Sequence, residues 1–417
     1  MKAIIVGGGI GGLATALCLH EKGIAVDLFE RSRDIRELGV GINTLPHAIK
    51  ELAGLGLLDR LDAAGIRTFE LIYTNRFGQE IWREPRGLDA GYEFPQFSIQ
   101  RGKLQSVLYE AVRERIGDAH IHRGHSFVGF EETDHGVTAH LEDRQGGRTL
   151  KASGDILIGA DGIHSRLREI FYPDEGPPSW NGIMLWRGAT EWEPFLTGRS
   201  MVIAGGMDAK LVLYPIHNDP ARPGRTLMNW AVGAMIGDSA APPPRREDWS
   251  RPGRIEELMP HVEGVFSLDV LDPAALIKAT REFYEYPMCD REPLSRWSFG
   301  RATLLGDAAH PMYPVGSNGA SQAVLDARAL AEALAAHADP VEALAAYEAD
   351  RLPKTAEIVR TNRLGGPERV IDLVSERAPG GFDRIEDVAS EDELRAIVSG
   401  YSQLAGFARD AVNRPGR

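Results

Sequence analysis

The sequence predicts an α/β fold in three parts: a parallel βαβ sheet assembled from separated stretches of chain, an antiparallel sheet inserted between them, and a helical C-terminal segment. Three observations predict it. An apolar strand at the N-terminus passes through Gly7-Gly8-Gly9-Ile10-Gly11-Gly12 into a helical pattern and then a second strand over 25–29. Two later buried strands, over 155–160 and 302–305, end alike, in Asp161-Gly162 and Gly306-Asp307. Between them, residues 180–235 carry short strands at turn-rich spacing, enriched in Trp, Met and Tyr.

Length and composition set the frame. A chain of 417 residues exceeds one core and suggests two or three domains. With 43% apolar and 26% charged residues it reads as globular. The balance of 47 basic against 60 acidic residues, −13, argues against a nucleic-acid partner held through phosphates. Cys18 and Cys289 form no ligand spacing, so no metal site is expected, and free thiols suit a reducing cytoplasm. Five glycines break the run over 7–19, which is therefore no signal-peptide core. Nothing reaches the ~18 consecutive apolar residues of a membrane span, so a soluble protein without stable membrane association is expected. Monomer and homodimer are both left open.

The first strand, over 2–6, is apolar on both faces, as a central parallel strand must be. G-x-G-x-x-G stands at Gly7, Gly9 and Gly12, followed by a helix through Leu13, Ala16, Leu17 and His20 that Gly23 ends. Glu30 closes the second strand, 18 residues past Gly12. Each part has a use: glycines for the turn, for approach of a pyrophosphate and for helix–strand packing, and an acid for a ribose diol. The unit therefore binds a dinucleotide, but the pattern does not separate NAD from FAD.

The loop over 36–42 either packs on a cofactor ring or simply connects; a helix through Ala48, Leu52 and Leu55 follows. Residues 69–97 read as strands with turns at Phe77-Gly78 and Pro85-Arg86-Gly87. Arg101 opens a helix through Leu108, Val112 and Ile116, where its charge opposes the helix dipole unless an anion lies there. Residues 127–141 form sheet, Gly146-Gly147 a turn, and Asp161 reads most plainly as a helix cap. On the strands of 180–235 an aromatic face is either core or the floor for a flat ligand. A surface loop over 240–252 and helix over 254–280 are expected next. After Asp307 a loop through Pro314, Gly316 and Gly319 leads to a helix with Ala320, Ala323, Val324, Ala327, Leu330, Ala331 and Leu334 in phase, then a second from 340 to about Asn362. Ala378-Pro379-Gly380-Gly381 reads as a linker, and the tail to Arg417 as one surface helix, partly mobile.

In this order, G-x-G-x-x-G with Glu30, Asp161-Gly162 and Gly306-Asp307 resemble the FAD-dependent aromatic hydroxylases, single-component flavoprotein monooxygenases of the p-hydroxybenzoate and salicylate hydroxylase type. The resemblance covers roughly residues 1–365. Within that family it points to the phenazine-hydroxylating branch, on Gly39-Val40-Gly41-Ile42-Asn43, Trp186-Arg187-Gly188 and the run from Pro314 to Gln322. It implies a Rossmann-type FAD-binding domain with a glutathione-reductase-like βαβ sheet in three pieces (1–72, 97–176, 284–365), a substrate domain from 73–96 and 177–283, and a C-terminal helical tail over 366–417.

The resemblance further implies that NADH or NADPH reduces FAD and that O2 then hydroxylates a small aromatic or heteroaromatic through a flavin C4a-hydroperoxide, with or without decarboxylation. Gly7, Gly9, Ile10, Gly12, Glu30 and Arg31 would hold the ADP half, Gly41 and Ile42 would pack on the cofactor, and Arg101 would meet the phosphates or ribityl chain. Asp161 and Gly162 would serve FAD and the pyridine nucleotide. Gly306 and Asp307 would bond the ribityl hydroxyls, and Pro314, Gly316, Asn318, Gly319 and Ala320 would line the isoalloxazine. Ser317, Asn318, Gly319 and Ser321 depart from the family's usual residues there, as does His47, where many members have Asn. The sheet is expected to roof the flavin and exclude water, with Met184, Trp186, Tyr214, Met228 and Pro314 against substrate. Tyr214 would deprotonate or orient a phenol, unless it is structural, and His310 is read as structural. The rivals are a flavin-dependent dehydrogenase or reductase, a flavin redox sensor and a flavin-free NAD-dependent dehydrogenase.

Overall fold

The strand Lys2–Val6 lies at the centre of a six-stranded sheet, between Ile156–Gly159 and Ala25–Glu30 and parallel to both. Ala302–Leu304 and the short Ser298–Phe299 extend one edge and Ile121–Arg123 the other. The computed structural model describes residues 1–33, 39–143, 147–238, 242–246 and 248–414. Residues 36–38 of the expected loop, Gly146 of the expected turn, Ala240, Ala241 and Glu247 of the expected surface loop and residues 415–417 of the expected tail lie outside them.

The helix Ile10–Glu21 packs on this sheet between Arg101–Ile116 and Gly319–Ala336. Leu13 and Leu17 are fully buried there, roughly 1.5–3 kcal/mol each against exposure. Gly23, at φ +72°, lets the chain reverse into the next strand. A three-stranded antiparallel sheet, His125–Thr133, Gly136–Asp143 and Thr149–Gly154, adds Phe127, Val137, Ala139 and Leu141 to the same core. The nucleotide-type domain is thus built from three separate stretches of chain.

The inserted sheet has seven strands, in the order Phe283–Asp290, Ser179–Trp192, Thr226–Met235, Ala209–His217, Ser200–Gly205, Glu70–Asn75 and Glu80–Pro85. Pairing is antiparallel except between Ser200–Gly205 and Glu70–Asn75. Its edges correct two expected boundaries: one set at 72/73 falls inside Glu70–Asn75, and one at 283/284 falls inside Phe283–Asp290. The continuous helix expected over 254–280 is two short ones, Ile255–Leu258 and Pro273–Lys278, because Pro260, Gly264 and Pro273 interrupt it.

The C-terminal segment is not a loose tail. Arg369–Arg377, Glu391–Leu404 and Arg409–Val412 are helices. Val370, Ile371, Val374, Leu394 and Val398 share one buried cluster with Tyr73, Ile203 and Tyr214. Tyr401, Ala405 and Phe407 form another with Leu45 and Ile358. A spacing of three and four residues along Leu394, Val398, Tyr401 and Ala405 gives the helix Glu391–Leu404 and its C-cap one apolar face, and that face is buried.

Candidate active site

At the start of the Ile10–Glu21 helix the three motif glycines meet different surroundings. A Cβ on Gly7 would stand 2.2 Å from the Ala160 carbonyl oxygen, and one on Gly12 1.9 Å from the Gly7 carbonyl oxygen. Both are demanded by packing. A Cβ on Gly9 would meet nothing within 4 Å, although Gly9 begins the helix and no side chain caps it. Open space at an uncapped helix N-terminus suits a phosphate. Ile10 is the first helical residue and buried. Glu30 accepts the N–H groups of Gly8 and Ser32, both at 2.7 Å, which fixes its carboxylate beside this loop with lone pairs left over. Gln105, on the Arg101–Ile116 helix, bonds the Gly8 carbonyl at 2.7 Å. Arg31 is exposed and lies near Asp248 of the Pro-rich loop.

Asp161 accepts the Arg166 N–H at 2.8 Å through Oδ2, while its buried Oδ1 has no partner; burial raises this carboxyl above the usual range. Ser165, rather than Asp161, caps the helix Arg166–Phe171. Arg168 of that helix, 1% exposed, donates to the carbonyls of Ala308 (3.1 Å) and Ala309 (2.9 Å) and pairs with Glu175. It ties the second acidic turn to the third.

In that third turn Gly306 has φ +60°, and its N–H donates to Asp326, which also holds Arg351 (2.8 Å) and His310 (2.6 Å). The interactions with His310 and Arg351 draw the Asp326 carboxyl down to about 2 in spite of its burial. His310 therefore supports the turn. Asp307 is accessible to water yet closely walled by protein, as befits a carboxylate lining a groove; no described residue hydrogen-bonds it. Crowding raises its carboxyl, Asp326 adds to the effect, and His310 and Arg101 oppose it. Arg101 stands across, lowered by burial and by repulsion from Arg187, with Asp307 as its opposing anion. Beyond it, Pro314 leads into Gly316 (φ +66°) and Ser317 (φ +57°), and the helix Gly319–Ala336 opens with no side-chain cap. Asn318 is fully buried, its amide committed to the Tyr401 hydroxyl (3.1 Å) and Gln322 (3.2 Å), so only its backbone faces a ligand. Gly319 and Ala320 offer free N–H groups and the positive end of the helix.

These features fit an FAD lying between the two uncapped helix starts, with Asp307 and Arg101 between them.

The sheet presents one face to this groove, and strand parity decides which. Arg187, Asn229, Tyr214, Ile203 and Tyr73 share that face. Asn229 accepts the Gly41 N–H at 2.6 Å, and a Cβ on Gly41 would run into Tyr214, Asn229 and Ile216. Gly41 thus packs on the sheet, beside the half-buried Ile42. Met184, Trp186 and Met228 point the other way, into a core closed by Leu258, Leu276 and Ile277. The expectation that they touch substrate is corrected: their alternation places them in the core on the opposite face. Burial raises the Tyr214 phenol, the wrong direction for a general base near neutral pH, leaving it a hydrogen-bond donor.

Arg187, unmarked as a site residue in the sequence, lies between Trp249 (4.7 Å) and Tyr286 (5.1 Å), and its Nε and Nη2 are buried with no acceptor among the described residues. Also missed was a cavity of about 950 Å³ running from the surface, between Glu80–Pro85 and the C-terminal helices, to Gly316 and Ser317. Tyr73, Tyr92, Met201, Ile203, Tyr401 and Phe407 form much of its wall. Its signals were the parity of 70–85 and the periodicity of 394–405.

A three-piece nucleotide fold, a groove between two uncapped helix starts and a covering sheet define a flavin-dependent oxidoreductase. The comparisons narrow this. A family model described as "FAD binding domain" matches residues 1–173 and 272–362. The phenazine 1,6-dicarboxylic acid hydroxylase of Lysobacter antibioticus is 46% identical over 86% of this chain and 88% of its own length. The 3-hydroxybenzoate 6-hydroxylase of Klebsiella oxytoca is 31% identical over 87% of each chain. HpxO of Klebsiella pneumoniae, solved with FAD and uric acid, aligns with a TM-score of 0.74 at 25% identity, covering 99% of this chain and 96% of that one. The chain belongs to the FAD-dependent aromatic hydroxylases: it is an FAD-dependent monooxygenase that consumes NAD(P)H and O2.

Proposed function

We propose that the enzyme hydroxylates a planar carboxylated aromatic of the phenazine class, in the cytoplasm, within the cavity beside Gly316 and Ser317. The observation that carries this reading is the cavity: about 950 Å³, walled by aromatic and aliphatic side chains together with charged ones such as Glu80, Arg83, Glu84 and Arg86, and reaching Gly316 and Ser317 in the loop that precedes the helix Gly319–Ala336. Its volume admits three fused rings, and the Lysobacter relative is named for such a substrate.

Bound FAD supplies the redox chemistry, taking reducing equivalents from NAD(P)H and activating O2 for transfer of one oxygen atom to the ring. The chain supplies position and electrostatics. Gly9 and Glu30 hold the adenosine diphosphate end, Arg101 the phosphates and Asp307 the ribityl hydroxyls. The start of the helix at Gly319 offers positive potential where reduced flavin carries charge. Tyr214 and Asn229 pack closely on Gly41, and this part of the sheet would roof the site against water. Arg187, with unmet donors beside Arg101, suits an anionic group of the dinucleotide.

The test is NAD(P)H consumption across phenazine dicarboxylates, 3-hydroxybenzoate and 3-amino-4-hydroxybenzoate, with mass spectrometry of the products. Stimulated consumption and a gain of one oxygen on the phenazine acid are expected. Turnover of the benzoates with none of the phenazine acids would overturn the substrate class.

A further inference from the structure

We propose that Arg86, with Tyr73 and Gln96, forms an anchoring subsite for the carboxylate of the aromatic substrate in the wall of this cavity. The inference rests on the cavity being the substrate site. Three buried polar atoms on its wall make no well-formed hydrogen bond to a described residue: Tyr73 Oη, Arg86 Nε and Gln96 Oε1, with the Tyr73 hydroxyl and the Arg86 guanidinium close enough to interact with each other. Tyr73 is 0% and Gln96 2% exposed, so water is a poor substitute. Native proteins leave few such atoms unmet, and three on one wall is the pattern of a ligand site.

The residues converge by topology. Tyr73 lies on Glu70–Asn75, Arg86 follows Glu80–Pro85, and its backbone N–H is fixed to the Phe69 carbonyl at 2.7 Å. Gln96 is held alongside, its carbonyl accepting the Thr68 N–H at 2.9 Å. The set offers two donors, the Tyr73 hydroxyl and the Arg86 Nε–H, beside the Gln96 side-chain amide. The two donors match a carboxylate; a neutral hydrocarbon matches neither. Burial raises the Tyr73 phenol, which keeps its proton available for donation.

Arg86 already pairs with Glu84 through Nη2, and Glu84 also takes the Trp82 indole N–H. Glu84 therefore holds the guanidinium in place and also competes with an incoming anion. That competition separates an anchor from a merely structural ion pair. Removing Glu84 as a charge strengthens the hold of an anchor on a carboxylate, whereas breaking a structural pair weakens every ligand alike.

The experiment titrates oxidised holoenzyme with phenazine 1,6-dicarboxylate and with its uncharged dicarboxamide, read by perturbation of the flavin absorbance, beside steady-state KM values. Arg86→Met is expected to weaken the dicarboxylate by about 10- to 100-fold, the range of one charge-assisted bond, and to change the dicarboxamide by less than about 2-fold. Glu84→Gln is expected to tighten the dicarboxylate several-fold and leave the dicarboxamide unchanged. If Arg86→Met does not fold, Glu84→Gln and Tyr73→Phe carry the test, the latter weakening the dicarboxylate by about 5- to 10-fold. Equal binding of the dicarboxylate by parent and Arg86→Met, or parallel weakening of both probes by Glu84→Gln, overturns the anchor. The binding titration judges the anchor even where no oxygenated phenazine forms, an outcome that instead overturns the proposed reaction.

Discussion

Replacing Gly9 with alanine separates folding from cofactor binding. The backbone there has φ −75° and ψ −176°, which any residue adopts, and the added Cβ meets nothing within 4 Å. Alanine is a poorer N-cap than glycine by roughly 1 kcal/mol, and restricting the unfolded chain returns about 0.4–1 kcal/mol. The apoprotein should therefore keep its stability to within ~0.5 kcal/mol, a Tm change of about 1–2 °C. Pyrophosphate binding is another matter. The methyl occupies the space through which phosphate oxygens approach the first N–H groups of the helix. Loss of two charge-assisted bonds at about 1.5 kcal/mol each amounts to ~3 kcal/mol, or roughly 150-fold in Kd at 1.4 kcal/mol per tenfold. Stripping the flavin, then titrating FAD by fluorescence quenching beside a thermal melt of the apoprotein, measures both terms. Gly12→Ala is the contrasting variant: its Cβ would lie 1.9 Å from the Gly7 carbonyl oxygen, so it should lower the melt itself. If Gly9→Ala binds FAD as tightly as the parent, the pyrophosphate does not lie over this helix start.

Three further outcomes are expected. Asp307→Asn should weaken FAD by about tenfold or more while the apoprotein melts no lower than the parent, since it removes a crowded charge; equal flavin content in both purified proteins would refute its role. His47 is held down to about 3 by burial and by the Arg351 charge, whereas the unfolded chain protonates near 6.5, so stability should fall as pH drops from 6.5 towards 3. His47→Gln should flatten that limb of the Tm–pH profile, and parallel profiles would remove the assignment. Tyr401→Phe forfeits bonds to Asn318 (3.1 Å), Asn362 (2.8 Å) and the Val315 carbonyl (3.3 Å), for a loss of about 1–3 kcal/mol; an unchanged melting temperature would show that the C-terminal clasp on the flavin loop is weak.

The nucleotide-binding half was legible because its logic is local. Gly7, Gly9, Gly12 and Glu30 carry turn, approach, packing and acid within a single βαβ unit. Three of the residues offered as substrate contacts were taken from the core face of the sheet. Met184, Trp186 and Met228 drew attention as large apolar groups, yet size says only that a residue is buried. Their neighbours Leu185 and Arg187, one residue out of phase, held the information about which face meets the groove. The Arg86 subsite was beyond reach, because Tyr73, Arg86 and Gln96 come near Tyr401 only through a parallel join between Glu70–Asn75 and Ser200–Gly205 that no local pattern encodes. For the C-terminal segment the periodicity was present, but Glu391, Asp392, Glu393 and Arg395 made its helix read as exposed.

The placing of Ala302–Leu304 beside Ile156–Gly159, and of the Tyr401 helix over the loop after Pro314, orders events during synthesis. The first βαβ unit is made well before its acidic partner turn and the closing wall. Prosthetic-group capture must wait for synthesis through the Tyr401 helix, and a chain lacking that helix would carry a chamber open on one side.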